Sequence, residues 1–204
     1  MHMKYSLTEF ESLPGTKKVF PVQSKKSFSS LSPEKKSACR IIGIDPGLAN
    51  TGFGIVDFFD DRYRLVSYGC ISTKPEETLG VRLLKISSRL QAVIDEFKPE
   101  FASMEELFFA RNVSSAISVA EAKGVATLVL AQNCIELTEY KPNQIKKSVT
   151  GTAAADKNLV KMYVKILLGL EKEPEPDHAA DALACAVTHL HYQMSGINRI
   201  QRQG

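Results

Sequence analysis

The sequence has no tryptophan, and its four cysteines, Cys39, Cys70, Cys134 and Cys185, lie far apart with no CxxC pair. That spacing excludes a zinc ribbon and a small disulfide-stapled scaffold, and it fits free thiols in a reducing cytoplasm. No apolar run approaches the roughly 18–20 residues that cross a membrane. The first residues carry no apolar core of the kind a secretory signal needs, so a cytoplasmic protein is expected. No internal repeat, Walker-type phosphate loop or Ser-His-Asp arrangement is visible. A strong overall charge is also missing. The net value is +3, but residues 1–40 hold eight Lys or Arg against three Glu (+5), which leaves 18 against 20 (−2) in residues 41–204. A nucleic-acid partner would therefore have to be met by local basic clusters, with bound cations offsetting the acids.

Residues 1–40, with Gly15, Pro21, Pro33 and the Ser/Lys-rich run from Lys25 to Lys36, read as a flexible basic extension. From Ile41 an α/β pattern begins. Strands are expected at 41–45, 52–58, 63–73, 101–105 and 134–140. Helices are expected at about 78–97, at 114–131 with an interruption near Gly124, at the start of 142–155, at 157–169 and at 177–194. Three strands, a helix and then alternating strands and helices predict a mixed five-stranded sheet flanked by helices. The expected division is an extension (1–40), one folded domain (41–194) and a short tail (195–204).

The chain is organised around Ile41-Ile42-Gly43-Ile44-Asp45-Pro46-Gly47. Strand alternation sends Ile42 and Ile44 to one face and Gly43 and Asp45 to the other. Asp45 then stands at a strand end beside lean backbone, where a carboxylate needs an ion pair, hydrogen bonds or a metal. The alternative is an acid that merely caps a turn. Glu105 ends the fourth strand in the same way, although Glu106 beside it suits a plain surface acid. The last helix brings Asp177, His178 and Asp181 into its first turns. His178 and Asp181, at i and i+3, share a face beside the stripe Ala179, Ala182, Leu183, Ala186 and Leu190. Asp177 reads as the N-cap. An imidazole and a carboxylate suit Mg2+ or Mn2+. Gathering Asp45, Glu105 and Asp181 costs repulsion and desolvation that divalent cations remove. Two ions about 3.5–4 Å apart would clamp both oxygens of a phosphodiester displacement. Histidine titrates near neutrality, so His178 is the candidate proton carrier.

Four segments, GIDPG at 43–47, SMEELF at 103–108, QIKKSVTG at 144–151 and DHAADALA at 177–184, together resemble the bacterial RuvC family of Holliday-junction resolvases. The similarity runs from about Ile41 to Tyr192. It implies an RNase H-like fold, a homodimer, Mg2+ dependence with Mn2+ as a substitute, and paired symmetric nicks in four-way junction DNA. It also implies work beside the RuvA–RuvB branch-migration complex. By the resemblance, Asp45, Glu105 and Asp181 match the metal-binding carboxylates, and His178 matches a fourth position held by Asp or His. Phe108 matches an aromatic that lies against junction bases, with Phe109 beside it. Arg111 and Asn112 fall in the DNA-facing loop. Lys146 and Lys157 match basic residues near the scissile phosphate, whereas Lys161 and Lys165 suit a solvated helix face. The Ala- and Val-rich segment 114–131 suits the helix contact of the dimer. The extension of 40 residues departs from the typical member.

Three other readings fit less well. An actin-like ATPase or sugar kinase shares the Asp-x-Gly strand turn but needs two larger lobes than this length supplies. A small YqgF-type nuclease shares the fold, but the Phe108 loop and the Asp-His-Ala-Ala-Asp helix favour a resolvase. A catalytically dead junction binder would have no need of three mutually repelling carboxylates.

Overall fold

The computed structural model describes residues 39–60, 62–107 and 113–201, with side chains placed for 39–60, 62–107 and 116–193. Its sheet has strands β1 (Cys39–Asp45), β2 (Asn50–Phe59), β3 (Arg62–Ser72), β4 (Phe101–Glu105) and β5 (Glu136–Tyr140). The helices are α1 (Leu79–Phe97), α2 (Val113–Gln132), α3 (Pro142–Thr150), α4 (Lys157–Leu167) and α5 (Asp177–Gln201). The strand order is β3-β2-β1-β4-β5, antiparallel from β3 to β1 and parallel from β1 to β5. This is the mixed five-stranded sheet expected from the pattern.

The central strand β1 is covered on both faces, which is why its sequence is a continuous apolar run. Ile42 and Ile44 pack with Ala102 and Met104 against α1 and α2 through Ile86, Leu90, Ala126 and Val129. Ile41 packs on the opposite face with residues of α3, α4 and α5, among them Ile145, Val149, Val160, Val164 and Leu183. Arg40 fastens the start of β1. Its Nε and second guanidinium nitrogen donate to both Asp57 carboxylate oxygens at 2.7 and 2.8 Å. A third nitrogen donates to Phe97 O at 2.9 Å, at the end of α1.

The side of the sheet that carries Gly43 receives α5. A Cβ added to Gly43 would overlap Ala182 O, and one added to Gly52 would overlap His178 O, so α5 lies on the bare backbone of β1 and β2. The small residues of α5, Ala179, Ala182 and Ala186, are fully buried there. Close packing of this kind leaves no slack for an extra methyl.

Several boundaries differ from the sequence reading. Helix α2 runs through Gly124 without interruption. One glycine costs about 1 kcal/mol in a helix, less than burial of Ala122, Ala126, Val129 and Leu130 returns. Strand β5 begins at Glu136 rather than 134, because Cys134 takes a left-handed backbone (φ 57°) that closes the preceding turn. Helix α5 continues past 194 to Gln201. The four cysteines are free thiols. Among the described residues no helix is long and apolar enough to cross a membrane.

Substituting Gly43→Ala should push α5 off the sheet. The expected loss is about 1–3 kcal/mol of unfolding free energy in a urea titration. An unchanged midpoint would show that the contact is softer than its geometry.

Candidate active site

Asp45 is the last residue of β1, and the turn after it is tightly held. Thr51 Oγ1 donates to Gly47 O at 2.8 Å, and Thr73 Oγ1 donates to Leu48 O at 2.6 Å. Arg82 of α1 donates through Nε to Thr73 Oγ1 at 2.8 Å. Glu105 ends the neighbouring parallel strand β4, one residue past the Ile44–Met104 pair just as Asp45 is on β1. The N-terminal turns of α5, seated on Gly43 and Gly52, bring His178 and Asp181 to the same end of the sheet. An open depression of about 200 Å3 lies between Asp45, Pro46, Glu105, Val119, Lys123 and Pro142.

Two of the carboxylates are held by donors of the chain itself. His178 Nδ1 lies 2.7 Å from Asp45 Oδ2. Since a carboxylate oxygen accepts, Nδ1 carries the proton, and Nε2 is left as the basic nitrogen. Lys157 Nζ is 3.0 Å from Asp181 Oδ2 and 3.3 Å from Asp177 Oδ2. Burial pushes the Asp45 carboxyl up from its ordinary range, and the charge of Asp181 adds to that, against the His178 hydrogen bond. Burial also pushes Glu105 up, with Asp45 and Asp181 adding, while Lys146 and Lys123 oppose. Burial acts to lower Lys157, but its hydrogen bonds and charge pairing with Asp181 and Asp177 outweigh it and hold the ammonium above its usual value.

The structure thus brings Asp45, Glu105, His178 and Asp181 to one sheet end, with Lys146 and Lys157 beside them. The three carboxylates do not close on one point. Among the described residues no three His, Cys, Asp or Glu side chains form a ligating cluster. The site's chemistry fits a hard divalent cation: oxygen donors plus one imidazole, with two carboxyls raised by burial and by uncompensated negative charge. Phe108, Phe109, Arg111 and Asn112 lie outside the described residues.

Two side chains were misjudged in the sequence and one was missed. Asp177, read as the N-cap, is the first helical residue instead. Its carboxylate accepts from Lys161 Nζ at 2.8 Å, and the first-turn amides of Ala179 and Ala180 go to Pro176 O. Lys161 is therefore not a solvated residue; its side chain is only 12% exposed. Lys123, an unremarked lysine in α2, reaches the backbone of Glu105.

A mixed 3-2-1-4-5 sheet with acids at the ends of its first and fourth strands and on its last helix defines the RNase H-like nucleases. The family model described as crossover junction endodeoxyribonuclease RuvC matches residues 41–189. The RuvC of Treponema denticola is 52% identical over 151 residues, covering 74% of this chain and 85% of the relative. That of Desulforamulus reducens is 40% identical over 161 residues, covering 79% and 99%. A structure of Thermus thermophilus RuvC in complex with Holliday junction substrate superposes with a TM-score of 0.74 at 34% identity, covering 78% of this chain and 96% of the other. The chain belongs to the RuvC family of crossover junction endodeoxyribonucleases.

The uncompensated acids imply a stability cost. A carboxyl whose pKa is raised by folding binds its proton more tightly in the folded chain. It therefore favours the fold at low pH, and this contribution is lost as pH rises through the raised value. Glu105→Gln should accordingly melt a few degrees higher than the parent chain in EDTA at neutral pH, with the difference shrinking as the pH falls from the raised value toward 4.5, the ordinary glutamate value, and changing no further below it. A lower melting temperature in EDTA would contradict this charge balance.

Proposed function

We propose that this nuclease resolves four-way DNA junctions by hydrolysis at the Asp45–Glu105–His178–Asp181 cluster, and that it does so as a homodimer. The carrying observation is the convergence of three carboxylates from β1, β4 and α5 on one sheet end, with two of them raised by burial and mutual repulsion. Asp45, Glu105 and Asp181 would hold Mg2+, two ions per site, with Mn2+ as a substitute. Bound there, the ions would supply an activated water and neutralise the departing 3′ oxygen.

The chain's own residues do the rest. Asp45 fixes the His178 tautomer through the Nδ1–H bond, so that Nε2 is the nitrogen that takes up a proton or joins the metal site. Lys157 holds Asp181 in place until substrate phosphates arrive, then turns its ammonium toward them. Lys146, whose charge already reaches Glu105, meets the scissile strand. Phe108, Arg111 and Asn112 are proposed to meet junction DNA. A stacked aromatic there is worth about 1–3 kcal/mol per base.

The homodimer would pair the outer face of α2. Ile117, Ala120, Gly124, Leu128 and Ala131 form an exposed uncharged stripe along that helix, with Ile117 and Leu128 more than half exposed. An apolar stripe with a glycine at its middle suits a second helix at close range. Two copies on one dimer give the two symmetric nicks. The RuvA–RuvB branch-migration complex is the proposed working partner, in the bacterial cytoplasm.

The test is a labelled four-way junction incubated with Mg2+, with linear duplex and an RNA–DNA hybrid as controls. Paired nicks in the junction alone are expected, from protein that sediments at twice the chain mass. Asp45→Asn, Glu105→Gln and Asp181→Asn should each cut nicking at least about 100-fold with junction binding retained. Lys146→Ala should lower rate or affinity. Wild-type nicking by Asp45→Asn would sink the assignment, and preferential cutting of the hybrid would move the chain to another RNase H-like activity.

A further inference from the structure

Pro46 removes a backbone donor at a sensitive place. Glu106 N–H donates to Tyr140 O at 2.8 Å, so the Glu105 carbonyl in the same peptide points the other way, toward β1. The β1–β4 ladder ends at the Ile44–Met104 pair. The next ladder donor on that side would be the amide of residue 46, and a proline has none. The carbonyl of Glu105 is thus orphaned by the motif that shapes the Asp45 turn, beside a buried Pro46. A backbone oxygen left unpaired there costs free energy and leaves the strand end loose.

Lys123 supplies the missing donor. Its Nζ donates to Glu105 O at 3.2 Å and to Glu139 Oε2 at 2.7 Å. Its side chain is only 12% exposed, against 39% for Glu139. A lysine held this way from α2 is committed to two partners and is not a free phosphate contact. The ion pair with the half-exposed Glu139 would by itself contribute little. What distinguishes Lys123 is that it fixes the peptide from which the Glu105 side chain departs on one face, and from which the chain continues into Glu106 and Leu107.

We propose that Lys123 is a positioning residue of the nuclease site: it replaces the ladder donor that Pro46 lacks and so aims the Glu105 carboxylate toward Asp45 and Asp181. This rests on the reading of Glu105 as a working carboxylate.

The test compares Lys123→Met, Lys123→Arg, Glu139→Gln, the double variant Pro46→Ala/Lys123→Met and Glu105→Gln. Junction cleavage is read as kcat and KM, junction affinity is measured in EDTA, Mg2+ affinity by calorimetry, and melting temperature for each protein. Lys123→Met should lose about 10- to 100-fold in kcat and in Mg2+ affinity with junction affinity unchanged. Lys123→Arg should restore most of the rate. Pro46→Ala, which returns an N–H at the ladder position, should recover part of it in the Lys123→Met background. Glu139→Gln, which leaves the carbonyl contact in place, should keep kcat within about threefold; if Lys123→Met melts below the assay temperature, the same loss in kcat and Mg2+ affinity is expected with all variants assayed below its melting temperature. Wild-type kcat and Mg2+ affinity in Lys123→Met would overturn the proposal. So would a loss explained by junction affinity alone, or a fall in Glu139→Gln as large as that in Lys123→Met. An active Glu105→Gln would remove the underlying site reading, whereas an inactive Glu105→Gln beside a fully active Lys123→Met would remove only the role of Lys123.

Discussion

The close approach of α5 to the bare backbone of β1 and β2 is the contact on which the rest of the structure depends. Gly43 and Gly52 have no side chain because Ala182 O and His178 O occupy that space. The helix is small-sided on the facing surface, with Ala179, Ala182 and Ala186 buried. This packing sets the height of α5 above the sheet and so sets where its first turns end. Asp181 and His178 reach the end of β1 because the helix rests on glycine there. With β-branched residues in their place, the helix would stand off and its acids would lie beyond the reach of Asp45 and Glu105. Packing and catalysis are thus one constraint, imposed by backbone contact.

Charge balance at the site depends on that geometry. Three carboxylates arrive together whether or not a cation is there to receive them. The folded chain answers with its own donors: the His178 imidazole on Asp45, the Lys157 ammonium on Asp181 and, through the backbone of Glu105, Lys123. Glu105 alone of the three has no side-chain donor on its carboxylate among the hydrogen bonds of the described residues, and it feels both other acids. The arrangement stores unfavourable electrostatics at one sheet end, which suits the divalent-ion site proposed there. Lys157 has a double position, bound to Asp181 and Asp177 yet half exposed, which suits a residue that exchanges a carboxylate for a phosphate.

Much of this was legible in the sequence because strand periodicity is simple. The alternation around Gly43 and Asp45 and the matching alternation from Phe101 to Glu105 predicted both faces of the sheet, and the i,i+3 spacing of His178 and Asp181 predicted their shared side. Periodicity says nothing about pairing between elements, and the errors lie there. Lys161 looked solvated because its partner Asp177 is on another helix. Asp177 looked like a cap because local composition favours that role, yet two lysines of α4 claim its carboxylate. Lys123 carried no reading from local sequence. Its one signal was indirect: a proline directly after a strand-end acid deprives the neighbouring strand of a donor, so some side chain must supply one. Gly124 suggested a break that burial along α2 overrides.

The most direct test of a metal-centred site is a crystal structure grown in Mn2+ and recorded at the manganese absorption edge. Anomalous density is expected between Asp45, Glu105 and Asp181, with Lys157 turned away from Asp181 and the three carboxylates drawn onto the ions. An empty cluster with Lys157 still on Asp181 at millimolar Mn2+, or density held by other acids, would contradict that site.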